Sequence, residues 1–454
     1  MSTTVERPSL LSEAGQTFRL ALPIIIAQFA LVMMNVVATV LAGKIGSAAL
    51  AAAGLGNALF FSLTVIANGL VSSVGVKVAQ AEGRGNVDEA GAFAYQGLKL
   101  AFLIGLPGMA ILLLLPGLLR ALGYNADLAS DVGGYLAFLA LGLIPYTWVT
   151  VLRFTTAAIG RPRVGTLIAI LGVGVEYVIG SWLLDHGYGL KGVGLSITIG
   201  IWVMLGCFAL YVRFEKHCRR YAMLWRPNAG NADLKELWTI GWPISVAFAA
   251  ETLLFSTSST MAGFFTSIEL AAHTIANQSI VSTFMVAVGL SHATMVRVAH
   301  AVGQGAQHRV RRIGLTGIGL GLVGMGCSAT LFFTAGEWVV GRFIDLDVPG
   351  NLPTLAFAPP LLIIAGIFQL VDGTQAVAAA ALRGIQDVRS TMVIGLFSYW
   401  AVGLVSAWVM AFPLGMRTQG LWLGLAVGLA TAAVALTARF LFLTRDLTKP
   451  GLAR

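Results

Sequence analysis

The sequence predicts an all-α polytopic membrane protein with twelve transmembrane helices in two six-helix lobes, related by a pseudo-two-fold axis along the membrane normal. Three observations predict it. Of 454 residues, 57% are apolar and 11% charged, against roughly 25% charged in an ordinary soluble domain, and the mean hydropathy is +0.83. Apolar stretches of the ~20 residues that cross a bilayer recur twelve times. Finally, one short pattern of basic residue and glycines is written twice, 220 positions apart.

The first six stretches run over 19–41, 49–74, 92–117, 131–157, 164–184 and 192–212. The second six run over 238–262, 270–295, 312–335, 355–382, 390–412 and 419–441. Residues Met1 to Phe18 are polar and lack a short apolar core with a small-residue cleavage site, so they read as a cytosolic tail before an uncleaved first span. Cys207, Cys218 and Cys327 are too few and too scattered for a disulfide framework or a zinc site, and no metal is expected.

Val76-Lys77-Val78-Ala79-Gln80-Ala81-Glu82-Gly83-Arg84-Gly85 recurs as Val296-Arg297-Val298-Ala299-His300-Ala301-Val302-Gly303-Gln304-Gly305. The register extends backwards without a gap. Pro23 falls on Pro243, Leu50-Ala51-Ala52 on Leu270-Ala271-Ala272, and Asn57 on Asn277. Such duplication is a mark of transporters. Each half holds six spans, and an even number returns the chain to its starting side, so both halves share one orientation. The expected organisation is an N-terminal lobe over 1–212, a linker over 213–237 and a C-terminal lobe over 238–454.

The net charge of +9 raises nucleic acid as a partner, and its distribution excludes it. Between the spans, only Lys44, Arg120, Lys191, Arg342 and Arg417 fall on one side; the other 24 of the 29 Lys and Arg fall on the side of the termini and linker. That bias is the positive-inside signature. It places both termini in the cytoplasm of a bacterial inner membrane.

Chemistry is sought among the carboxylates inside spans, since each costs roughly 2.5–3.5 kcal/mol at the bilayer centre. Three lie well inside: Glu176 in the fifth span, Glu251 in the seventh and Asp372 in the tenth. The span map leaves every Lys and Arg in a loop or at a helix end, with no mid-span cation to pair with them. An unpaired buried carboxylate either carries a proton or holds a cation from solution, and a coupled antiporter alternates between those states. Gln369, Asp372 and Gln375 follow at i, i+3 and i+6, on one side of a helix. Gln28 and Asn35 of the first span, Asn277 and Gln278 of the eighth and Gln369 are the candidate lining of a substrate cavity. His273 and His292 are isolated on helices and read as packed side chains.

At these residues the sequence resembles the multidrug and toxic compound extrusion family. The resemblance is carried by Leu22-Pro23, by Thr39-Val40-Leu41-Ala42-Gly43 and by Ala271-Ala272-His273 through Val296-Arg297-Val298. Asp372 with Leu382-Arg383-Gly384-Ile385-Gln386-Asp387, and Ser398-Tyr399-Trp400, complete it. It implies an exporter of cationic or amphipathic drugs and metabolites in exchange for H⁺ or Na⁺, with a seventh-helix Glu and a tenth-helix Asp as the coupling pair, matched here by Glu251 and Asp372. The sequence departs from the family where Phe368 replaces a tyrosine, removing an oxygen ligand for sodium. Ala38 replaces the first-span Asp, and Leu404-Val405 replace a proline of the eleventh span. Glu176 is the candidate substitute for the missing first-lobe carboxylate.

The expected partners are therefore a small cationic or amphipathic molecule and membrane lipid, with no cofactor beyond the coupling ion, and the expected state is a monomer. Two other classes fit the residues less well. A lipid or lipid-linked-sugar flippase would favour a basic central cavity, where this chain places acids. A membrane-embedded enzyme needs clustered carboxylates or a nucleophile–base pair. Asp345 and Asp347 form a close acidic pair, and they sit in a polar loop beside Pro349-Gly350.

Overall fold

The computed structural model describes residues 9–224, 232–345 and 348–445. The middle of the expected linker and Asp347 lie outside the described residues. Among the described residues every regular element is a helix, and twelve are long and apolar enough to cross a membrane. They are α1 Leu10–Ile45, α2 Ser47–Gly83, α3 Val87–Ala121, α4 Ala126–Ala158, α5 Pro162–Asp185 and α6 Gly189–Phe214. After a short helix Lys216–Arg219 come α7 Ala232–Ala262, α8 Ser267–Gly303, α9 Gln307–Thr334, α10 Leu352–Gly384, α11 Val388–Ala411 and α12 Arg417–Leu443.

The helix ends follow local chemistry. Asn86 caps α3 by accepting from the Glu89 N–H, and Pro162 opens α5 where no N–H is needed. Thr266 and Glu269 form a reciprocal capping box at the start of α8.

Two expectations are corrected. The polar tail ending at Phe18 is instead the first turns of α1, which begins at Leu10. Polar Glu13 and Thr17 are both 0% exposed there, because Arg297 and Arg309 hold Glu13 and Arg297 also donates to Thr17. The eleventh span is not one regular helix either. It is α-helical over Val388–Leu396, π-helical over Phe397–Leu404 and α-helical again over Val405–Ala411. There α12 lies with its backbone against α11: a Cβ on Gly424 or Gly428 would run into Ala407 or Gly403.

Two compact units divide the chain: Met1–Ile25 with Ala250–Arg454, and Ile26–Ala249. The repeat boundary near the linker and the packing boundary at Ala249 are thus different quantities. In the first unit α10 is central, packed on α8, α9 and α12, with α11 against α12. In the second, α4 is central, packed on α2, α3 and α6.

Helix α1 contributes residues up to Ile25 to the first unit, and α7 contributes residues up to Ala249 to the second. The seats of these segments obey the repeat. A Cβ on Gly289 of α8 would meet the backbone of Ile25, and one on Gly69 of α2 would meet the backbone of Ser245. Gly69 and Gly289 are 220 positions apart, as are Ile25 and Ser245.

Candidate functional site

A helix surrounded on three sides buries even its polar face, and α10 carries three such residues in line. Gln369 is 0%, Asp372 2% and Gln375 2% exposed. The Gln375 amide nitrogen bridges the two acids, donating to Asp372 Oδ1 at 3.2 Å and to Glu251 Oε1 of α7 at 3.4 Å. Its carbonyl oxygen accepts from Tyr399 Oη at 2.8 Å. Tyr399 is buried and sits in the π-helical segment of α11. Gln369 donates to Thr283 of α8, and its carbonyl oxygen has no hydrogen-bond partner.

The first unit therefore contains an acid–amide–acid group inside a membrane-length bundle. The span map leaves every Lys and Arg in a loop or at a helix end, and Arg383 is at such an end, in the last turn of α10; from there it still interacts electrostatically with Glu251. Its position at a helix end concealed that proximity.

Such a group can do one of two things. With one proton between them the two carboxyls, bridged by Gln375, carry a single negative charge, which Arg383 opposes. Without it two like charges lie close together, and a cation beyond Arg383 is needed to balance the second. Among the described residues no group of three or more His, Cys, Asp or Glu forms a metal cluster. The donor set is oxygen and amide, suited to a proton or a hard monovalent cation.

A family model described as MatE matches residues 23–182 and 243–409. The chain belongs to the MatE family. It is 35% identical over 441 residues to the Probable multidrug resistance protein NorM of Burkholderia mallei, covering 95% of this chain and 93% of that protein. It is 36% identical over 437 residues to the Probable multidrug resistance protein NorM of Pseudomonas putida, covering 94% of each. The fold matches the crystal structure of the eukaryotic MATE transporter AtDTX14 with a TM-score of 0.87, covering 97% of this chain and 99% of that one at 19% identity. With twelve apolar helices, this member of the MatE family is a multi-pass membrane protein.

The second unit holds the third acid of this MatE chain. Glu176 on α5 is 0% exposed, and neither carboxylate oxygen has a hydrogen-bond partner. Tyr177, its neighbour in sequence, is half-exposed. A Cβ at Gly200 of α6 would lie 3.6 Å from both Glu176 Cβ and Met34 Cε, and Gly180, one turn along α5, faces Leu41. Met34, Ala38 and Leu41 are buried at i, i+4 and i+7 of α1. One α1 face therefore packs over the α5 turn that carries Glu176, and Ala38 is its middle residue.

The other expected cavity residues are scattered. Gln28 is half-buried and accepts from Arg153 Nη1 at 2.8 Å. Asn35 and Gln278 are exposed, and Asn277 is half-buried. Sequence reasoning misses Tyr399, which bonds the Gln375 that bridges the acids; the signal lies in Ser398-Tyr399-Trp400, a family mark to which the sequence alone attaches no task.

Proposed function

We propose that this chain is a secondary active efflux antiporter that exports cationic or amphipathic drugs or metabolites in exchange for H⁺ or Na⁺. The carrying observation is the pair Glu251 and Asp372, bridged by Gln375 on the central helix of its unit. Membership of the MatE family and the NorM relatives support the substrate class. Gln369, Gln28, Asn35, Asn277 and Gln278 remain the proposed polar contacts for substrate. The protein acts as a monomer in a bacterial inner membrane, with both termini and the 213–237 linker cytoplasmic. A flippase is disfavoured, because the buried polar centre is acidic where a pyrophosphate needs cations.

Reconstituted protein tests the reading. Uptake of ethidium into proteoliposomes is driven separately by a pH gradient and a sodium gradient. Glu251→Gln and Asp372→Asn are expected to fold normally and to lose gradient-driven uptake by at least tenfold. Wild-type uptake in both variants would reject the coupling pair. Orientation is checked with a cysteine at Asn231 in a background without the three native cysteines. It should resist an impermeant maleimide added to intact cells.

Glu176 is proposed as the acid that serves the Ile26–Ala249 unit in place of the residue lost at Ala38. Its support is the shared face of Met34, Ala38 and Leu41. A carboxylate with no partner in an apolar seam must carry a proton or rearrange.

A further inference from the structure

Above the acids, in the same unit, the side chains form successive layers toward the end opposite the termini. On α7, Glu251, Phe255 and Ser259 share one face at i, i+4 and i+8. Phe255 meets Phe368 of α10 edge-on at 6.0 Å between ring centroids, and Phe368 meets Trp422 of α12 at 5.3 Å and 85°. Phe368 and Trp422 are fully buried. This aromatic layer stands one helical turn from both Asp372 and Glu251.

Beyond it lies a polar layer. His273 of α8 is 2% exposed, with its ring 5.5 Å from Trp422. Its Nε2 is 3.1 Å from Ser259 Oγ. Neither His273 Nδ1 nor the Trp422 indole N–H has a hydrogen-bond partner. One turn further out, Glu269 is buried and paired with Arg417 of α12 at 2.6 Å, where Thr266 also donates to it.

A packing histidine is expected to satisfy both nitrogens or to be replaced by an apolar residue, since an orphaned polar atom in a dry core costs about 1–3 kcal/mol. Here two unpartnered polar atoms adjoin one ring, between an ion pair at the rim and an acid pair within. We infer that His273 is a proton way-station serving the Glu251–Asp372 site, with Phe255, Phe368 and Trp422 as the seal that parts for each transfer. The inference rests on the coupling role proposed for those two acids, and it selects H⁺ over Na⁺, because an imidazole relays protons only.

The step is balanced. A proton adds at Nδ1, the Nε2 proton passes to Ser259 Oγ, and the hydroxyl's own proton passes to water admitted when the aromatic layer parts, which delivers it to the Glu251 carboxylate two turns down α7. The ring is left as its other tautomer, which a ring flip resets. The groups in contact with His273 are Ser259 from α7 and Trp422 from α12; Glu269, paired with Arg417, and Asn277 stand one turn to either side of it on α8, and Phe368 lies on the far side of Trp422. Glu251 and Asp372 lie beyond the aromatic seal.

The test uses the full chain in proteoliposomes with ethidium uptake driven by a pH gradient. His273→Gln should bind ethidium within twofold of wild type yet transport at least tenfold more slowly, with a flattened dependence on outside pH. In His273→Ala, added imidazole should restore transport, and thiophene, of the same shape but unable to carry a proton, should not. A wild-type rate and pH profile in His273→Gln, or equal rescue by both rings, would overturn the relay. Wild-type pumping by Glu251→Gln and Asp372→Asn would overturn the acid site and the relay together. Inactive acid variants beside a normal His273→Gln would overturn the relay alone.

Discussion

Glu13 and Arg297, 284 positions apart in the chain, form a buried ion pair inside one packing unit. Arg309 adds a second contact at 3.0 Å, and Arg297 also donates to Gln16 at 2.8 Å. The other unit repeats the device. Lys77, the repeat equivalent of Arg297, pairs with Glu236, the equivalent of Gln16. In each unit a basic residue of one half thus anchors the first helix of the other.

Removing one partner strands the others. Glu13→Ala should lower stability by about 3–5 kcal/mol, the usual cost of an uncompensated buried charge. The double variant Glu13→Ala with Arg297→Met should recover part of the loss. Melting temperatures in detergent, measured on size-exclusion peaks, check both. A single variant as stable as wild type would mean that the pair contributes nothing.

Glycine at the two helix crossings makes a prediction of sign. Alanine is normally the better helix residue by about 1 kcal/mol. At Gly69 and Gly289 its Cβ would meet the backbone of Ser245 and Ile25, which cannot swing aside. Gly69→Ala and Gly289→Ala should each destabilise by about 1–3 kcal/mol. Gly319, with nothing within 4 Å of its Cβ position, is the control, and Gly319→Ala should be neutral or stabilising in the same melting assay.

Glu176 and Ala38 predict a second-site rescue. Glu176→Gln should slow ethidium export several-fold while leaving expression unchanged. Adding Ala38→Asp should restore part of the rate, because both side chains belong to one seam. Unchanged export in Glu176→Gln would leave Glu251 and Asp372 as the one coupling site.

Cys218 carries a pH prediction outside the membrane. Burial, then the Glu215 carboxylate beside it, pushes its thiol up to about 12, against the opposing Arg161 charge. Only the thiolate alkylates, so below that value the rate should rise about tenfold per pH unit. In a protein without Cys207 and Cys327, iodoacetamide labelling should show no plateau up to pH 10. Glu215→Gln removes two of the causes and should speed labelling. A plateau near pH 8 to 9 would contradict the assignment.

Long apolar runs and a gapless repeat survive in any reading of the chain, so twelve helices and their duplication were legible from sequence. The acids were legible too. Gln369, Asp372 and Gln375 announce one helix face by spacing. What escaped depends on contacts between distant segments. Glu13 reads as part of a tail until its partners, almost three hundred residues away, are in place. Arg383 reads as a helix-end charge until α7 is packed beside α10. Tyr399 reaches Gln375 from a π-helical turn that no proline or other local signal marks.

The exchange of helix segments at Ile25 and Ala250 sets an order for synthesis. When residue 249 has been made, the Ile26–Ala249 unit has every segment it needs, since its share of α7 lies before the boundary. Residues 10–25, translated earlier than any of that unit, have their seat on Gly289, Arg297 and Arg309, which do not yet exist. The first turns of α1 must therefore wait, with Glu13 lacking both arginines, until the ribosome has passed Arg297 and Arg309. Cutting the gene at the linker would not yield two self-sufficient proteins: each product would lack a strip of helix encoded on the other.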